Sequence, residues 1–169
     1  MKKFLPLVLL LAPTALFAHD ADDSVVTWHQ IVGVITAPNV DNPVAGISAG
    51  TTPWSTRGGR ARVNLATGEA RFDVDGLVLN GGNASGTPGR VTSVTGTLVC
   101  NPGTNGQAIL PTAEVRLTSN GDADFRGEIS GIPAPCNNPL FLIRIGPSFP
   151  VAGAVGRWLA TGAVRTIGD

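Results

Sequence analysis

The chain has 169 residues, with twelve Lys plus Arg balanced by twelve Asp plus Glu. That length is enough for one domain with a hydrophobic core, but short for two. A charge balance near zero argues against general attraction to nucleic acid or to an anionic membrane surface. The 22 Gly and 13 Pro residues argue against long helices.

The first eighteen residues have the three parts of a secretory signal peptide. Two lysines precede an apolar run of about fourteen residues, Phe4–Phe17, and the small residue Ala18 precedes a polar stretch. Because a membrane-spanning helix needs about 20 apolar residues, we predict a cleaved signal peptide, residues 1–18, and one mature domain, residues 19–169. The expected location is periplasmic or secreted, with no transmembrane span after signal cleavage.

The rest of the chain alternates between short apolar segments and turn-forming stretches, which is typical of β-structure. In chain order, strands are predicted over 25–35, 61–65, 70–79, 91–100, 113–117, 123–129, 140–145 and 155–164. A long loop over 36–59 contains three prolines, and a glycine-rich loop spans 80–89. This spacing predicts an all-β fold, a single-domain β-sandwich or partly closed barrel of about eight mostly antiparallel strands.

Two hairpins are predicted from local patterns. Around the turn 66–69, apolar residues alternate with charged ones on both sides, which predicts that the flanking strands pair. Asn120-Gly121 is the strongest two-residue hairpin turn in the chain, so the strands on either side of it are also predicted to pair.

Cys100 and Cys136 are the two cysteines of the chain. An exported chain meets an oxidising compartment, so we predict a disulfide between them, although two free buried thiols are the alternative. A zinc site is disfavoured because no histidine lies near either cysteine in the sequence, and zinc takes four ligands.

Several segments resemble those of uncharacterised exported bacterial all-β proteins: Gly86–Gly89, Thr95–Cys100, Pro135-Cys136 and Gly156–Gly162. The stretch Gly68–Leu77 also resembles part of the chordin-type repeat domain. These resemblances imply an exported β domain. Neither implies an activity or a set of catalytic residues.

Trp54 is the aromatic residue whose loop position suggests exposure, with Arg57, Arg60 and Arg62 close by in the sequence. A tryptophan with arginine neighbours can anchor a protein partner or an anionic ligand. We therefore predict ligand binding at these four residues. The alternative is that Trp54 folds back and caps an open end of the sheet structure.

Two further hypotheses concern chemistry. Cleavage before His19 would give an N-terminal histidine that can bind copper together with His29, an arrangement that resembles the histidine brace of lytic polysaccharide monooxygenases. Asp73 and Asp75 lie on one face of their predicted strand, so they can act as acid and base in a hydrolase if a cleft holds them. The alternative for the aspartates is a solvated ionic stripe with Arg60 and Arg62 as cross-strand partners.

Gly46-Ile47-Ser48-Ala49-Gly50 matches the G-x-S-x-G pattern of a hydrolase nucleophile elbow. That elbow needs a strand before the serine and a helix after it. The sequence supplies neither, so we interpret the match as coincidental.

The sequence contains few of the residues that catalysis usually requires. We therefore expect an exported, non-enzymatic structural or recognition module of unknown ligand, either a protein or a small molecule. Its contacts are predicted to come from the loops 36–59 and 80–90. No cofactor is expected, with copper at His19 and His29 as the competing hypothesis and a hydrolase based on Asp73 and Asp75 as a third.

Overall fold

The structure is a computed structural model that describes residues 24–37 and 40–168. The predicted signal peptide and His19 lie outside the described residues. The strands are β1 Val25–Gly33, β2 Trp54–Ser55, β3 Gly58–Asn64, β4 Glu69–Asp75, β5 Val78–Leu79, β6 Ser93–Cys100, β7 Ala108–Pro111, β8 Val115–Arg116, β9 Ala123–Glu128, β10 Leu140–Ile145 and β11 Trp158–Ile167. A short 3-10 helix, Ala152–Ala154, lies between the last two.

The main sheet is antiparallel and curls into a half-barrel with the strand order β7-β6-β10-β11-β1-β3-β4-β9. The short β8 pairs with β6, and β2 and β5 form a separate two-stranded sheet. The predicted all-β, mostly antiparallel fold is confirmed. Within the described part of the chain, no helix is long and apolar enough to cross a membrane.

The first predicted hairpin is confirmed as β3 and β4. Its inward side chains, among them Ala61, Phe72 and Val74, are buried, whereas Arg60 on the outer face is exposed and lies opposite Asp73. The period-two alternation therefore predicted both the pairing and the buried face, because a one-residue slip would have exposed the apolar set.

The second predicted hairpin is wrong, since β8 and β9 do not pair with each other. Gly121 forms the turn with φ 81°, but β8 pairs with β6 while β9 pairs with β4. The chain therefore passes from one end of the main sheet to the other at this turn. Phe125 of β9 stacks on Phe72 of β4 with ring centroids 5.7 Å apart, and this contact helps to explain the pairing.

Two other segments differ from the sequence prediction. Residues 77–79 do not continue β4, because the chain turns at Gly76, which has φ 61°, and β5 then pairs with β2. β7 forms where no strand was predicted, and it pairs with the C-terminal half of β6.

The core is organised around an aromatic cluster. Trp28, Phe72 and Phe125 join Phe141 in a chain of rings whose centroids lie 5.5 to 5.7 Å apart. A Cβ atom on Gly96 would lie 2.7 Å from the rings of both Phe141 and Phe72. Glycine at position 96 therefore lets β6 pack directly against the aromatic rings.

Cys100 ends β6 and is bonded to Cys136 in the segment between β9 and β10, with the Cα atoms 4.8 Å apart. The predicted disulfide is confirmed. Asn101 strengthens the same junction, since its side chain donates to the Pro135 carbonyl at 3.2 Å and accepts from the Asn137 amide at 2.8 Å.

Candidate ligand-binding cleft

A mostly apolar cleft of about 560 Å³ opens between three chain segments that connect the strands. We call it the Trp54 cleft, and define it by its lining residues in three groups: Gly50, Thr51, Thr52 and Trp54; Leu79, Ala84, Pro88, Gly89, Arg90 and Val91; and Ile145, Phe149, Val151, Gly153, Ala154, Arg157 and Leu159. Sites for small ligands typically measure about 300 to 1,000 Å³ and are lined mainly by apolar side chains. The cleft has the size and lining of such a site.

The wall that Trp54 forms depends on long-range backbone pairing. Trp54 pairs with Leu79 across the small sheet, and its amide donates to the Val34 carbonyl at 2.8 Å. A Cβ atom on Gly50 would lie 3.0 Å from Leu159 and 3.3 Å from the indole nitrogen of Trp54. Glycine at position 50 therefore leaves room for the indole to pack against Leu159.

The opposite wall belongs to the 146–157 segment, which connects β10 to β11. Glu114 accepts hydrogen bonds from the amide of Ser148, at 3.0 Å, and from the hydroxyls of Ser148 and Ser93. These donors, Ser148 before Ser93, hold the pKa of the Glu114 carboxyl below its usual value. Glu114 thereby fixes the turn that presents Phe149 to the cleft.

Two arginines secure the other end of the same segment. Arg144 donates from Nε to the Gly156 carbonyl at 2.6 Å, and its burial lowers the pKa of its guanidinium. Arg157 donates from Nε to the Gly153 carbonyl at 2.9 Å and from Nη1 to the Ala49 carbonyl at 2.8 Å. Arg157 thus joins two of the three segments that form the cleft.

Trp54 is only 4% exposed, so the expectation of an exposed tryptophan is wrong. The alternative, in which it folds back against the sheet, describes its position. None of Arg57, Arg60 and Arg62 lines the Trp54 cleft. The structure therefore does not bring the predicted four-residue set together. The loop composition around Trp54 suggested exposure. The strand β2 could not be recognised in the sequence, because two residues are too few to show an alternation of apolar and polar side chains.

The three arginines lie elsewhere. Arg57 forms an ion pair with Asp122 at 3.0 Å, and Arg60 forms one with Asp73 at 3.0 Å. Arg62 lies opposite Arg71 rather than opposite an aspartate. The cross-strand pairing predicted for Arg60 is thus confirmed, whereas the one predicted for Arg62 is wrong.

Asp73 and Asp75 lie on the outer face of β4, as the alternation predicted. Asp73 is held by Arg60, and Asp75 is exposed opposite Gly58. Neither residue lines the Trp54 cleft. This arrangement has the form of the ionic stripe that was the alternative to a hydrolase site.

His29 lies on the exposed face of β1, where its Nε2 is 2.9 Å from the Thr166 hydroxyl. The other half of the hypothetical copper brace, His19, is outside the described residues. Among residues 24–37 and 40–168, no group of three or more His, Cys, Asp or Glu side chains is placed to hold a metal ion.

Ser48 of the G-x-S-x-G match donates its hydroxyl to Asp41 at 2.9 Å. Its neighbours Ile47 and Ala49 form isolated bridges, and the residues directly after the serine form no helix. The motif therefore lacks the strand-to-helix turn that exposes a hydrolase nucleophile.

Sequence reasoning missed Phe149 and Arg157 as site residues. The loops 36–59 and 80–90, which were predicted to supply ligand contacts, contribute eight of the cleft residues. The third wall was not predicted, because 146–157 carries neither an aromatic cluster nor a charge cluster in the sequence. Comparison of the chain with protein-family models, with curated proteins and with solved structures finds no match.

Proposed function

We propose that this protein is an exported, non-enzymatic recognition module that binds a small, largely apolar ligand in the Trp54 cleft. The single observation behind the proposal is the cleft itself, an apolar concavity of about 560 Å³ at the loops that connect the strands. Export is supported by the signal-peptide pattern of residues 1–18 and by the disulfide, which is compatible with an oxidising compartment.

The residues around the cleft favour binding over catalysis. Its titratable side chains are two arginines, Arg90 and Arg157, and the lining contains no histidine, cysteine or carboxylate that could act as a general base or activate a threonine hydroxyl. An apolar ligand would gain free energy by covering the exposed parts of Phe149, Val151 and Leu79.

The neutral fluorescent probe N-phenyl-1-naphthylamine tests the proposal. We expect saturable binding to the folded, disulfide-bonded protein. Val151→Asp should raise the dissociation constant of the probe about fivefold or more, because a carboxylate placed at the rim would be desolvated by an apolar ring.

Val32→Asp is the matched control. Val32 is 44% exposed and Val151 is 43% exposed, but Val32 lies on β1 and does not line the cleft. Its variant should bind the probe as the parent protein does, once thermal unfolding shows that both variants are folded. Absence of saturable binding, or equal weakening in the two variants, would refute the proposal.

A further inference from the structure

The charged side chains that line the Trp54 cleft are all positive. Its lining contains Arg90 and Arg157 and no acidic side chain. A site whose walls are apolar and whose charges are all positive favours a ligand that has both an apolar body and a negative group.

The guanidinium of Arg157 is fixed in position and still has hydrogen-bond donors available for an anion. It is half-buried, and two backbone carbonyls, those of Gly153 and Ala49, accept bonds from its Nε and Nη1 atoms. A guanidinium has five N–H donors, so three remain after these two bonds. Because the side chain is already ordered, little further entropy is lost when a ligand binds.

The charge of Arg157 has no acidic partner in the described chain. The ion pairs there belong to Arg57 and Arg60. Asp41 lines the neighbouring groove that shares Arg157, but its carboxylate accepts from Ser48 and forms no ion pair with the guanidinium. Carbonyl oxygens orient a guanidinium without neutralising it, so a bound carboxylate would supply the missing charge.

We infer that the ligand of the Trp54 cleft is an amphipathic monocarboxylate, whose apolar tail lies against Trp54 and Phe149 and whose carboxylate binds Arg157. This inference rests on the proposed function and specifies its ligand class. One fixed arginine matches a single negative charge, while Arg90 is exposed and adds attraction at the rim.

Decanoate and decan-1-ol test the inference, since they share the apolar tail and differ in the charge of the head group at neutral pH. Each is titrated against the bound N-phenyl-1-naphthylamine probe. We expect decanoate to displace the probe at a concentration at least about tenfold lower than decan-1-ol, because hydrogen bonds to charged groups are stronger than neutral ones.

Arg157→Gln should abolish that difference, because glutamine removes the charge. The measured quantity is the ratio of the two displacement concentrations within the variant, since loss of the bonds to Gly153 and Ala49 affects the affinity for both ligands alike. Arg116→Gln is the matched control, because Arg116 is an exposed arginine of β8 that does not line the cleft. In that variant both ligands should behave as they do with the parent protein.

The outcomes separate the two claims. If the probe and decan-1-ol bind but decanoate binds no better, the carboxylate inference fails and the proposed function stands. If Arg157→Gln weakens both ligands equally, Arg157 only holds the loops together and the inference fails. If probe binding falls as the protein concentration rises, a second copy of the chain occupies the cleft, and the inference also fails. If neither the probe nor either ligand binds, both claims fail.

Discussion

Thr97 of β6 and Thr112, which directly follows β7, are both buried. Their hydroxyls differ in whether they form hydrogen bonds. The hydroxyl of Thr97 has no hydrogen-bond partner among the described residues, although the residue is fully buried. The hydroxyl of Thr112 accepts from the Gly96 amide at 3.0 Å and donates to the Ala113 carbonyl at 2.8 Å. A buried polar group destabilises the fold when it is unpaired, and does so much less when it is paired.

The same substitution should therefore have opposite signs at the two positions. Thr97→Val should raise the free energy of unfolding by about 1 kcal/mol, because a methyl replaces an unpaired hydroxyl. Thr112→Val should lower it by about 1 to 3 kcal/mol, because the Gly96 amide loses its acceptor. Urea unfolding of both variants measures the difference. A loss of stability in Thr97→Val equal to that in Thr112→Val would contradict this explanation.

At the scale of single residues, chemical type predicted some contacts and not others. Cys100 with Cys136 and Arg60 with Asp73 were predictable, because cysteines pair in oxidising compartments and opposite charges face each other across antiparallel strands. The role of Arg157 was not predictable. Its partners are backbone carbonyls at positions 49 and 153, and any residue type can supply a carbonyl.

At the scale of chain segments, the 146–157 segment is fixed by polar contacts more than by regular structure. Glu114 binds Ser148 at one end, and Arg144 and Arg157 bind carbonyls of the segment at the other. Because Phe149 and Val151 lie within this segment, the shape of the Trp54 cleft depends on these contacts.

The contacts of Glu114 make the shape of the Trp54 cleft sensitive to acid. The hydrogen bonds that Glu114 accepts from Ser148 and Ser93 lower the pKa of its carboxyl in the folded state below the usual value for a glutamate. A lowered folded-state pKa means that the stabilisation is complete above the unfolded-state pKa and is lost as the pH falls through the folded-state pKa. We therefore expect the stability and the probe affinity of the parent protein to be constant above about pH 5 and to decline below about pH 4.5.

Glu114→Gln is the control for this titration. It should lower stability at neutral pH and flatten the acid-dependent decline, since its amide does not titrate. Thermal unfolding from pH 3 to pH 7 measures both. An identical acid profile in the parent protein and in Glu114→Gln would show that other carboxyls cause the decline.

Strands with a clear local period were predictable from sequence, whereas their partners often were not. β3 and β4 were predicted because Ala61 and Val63 alternate with Arg60 and Arg62 beside a short turn. The pairing of β9 with β4 was not, because Asn120-Gly121 determines where the chain turns but not which strands it joins. The strand β2 has too few residues to show any period.

At the scale of the whole molecule, the disulfide closes a long loop. Cys100 and Cys136 are 36 residues apart and join the end of β6 to the segment before β10. Replacing both by serine should lower the free energy of unfolding by about 3 to 4 kcal/mol on the chain-entropy account. Reductant should destabilise the parent protein by a similar amount and leave the double variant unchanged. A response of the double variant to reductant would contradict this account.

The half-barrel as a whole brings distant parts of the chain to the cleft. Trp54 lies about a hundred residues before Phe149 and Arg157 in sequence. The three line the same cavity because β2 and the segment between β10 and β11 meet there. The sequence predicted the all-β class and two of the contributing loops. It could not predict the concavity, because period-two patterns are the same in a sandwich and in a curled sheet.

Quenching of tryptophan fluorescence by 10-bromodecan-1-ol tests most directly whether the Trp54 cleft binds ligands. The chain has three tryptophans, and of these only Trp54 lines the cleft. We predict saturable quenching of the parent protein, and loss of that quenching in Trp54→Phe, in which Trp28 and Trp158 still emit. Equal quenching in the two proteins, or none in either, would contradict the assignment of the cleft as a binding site.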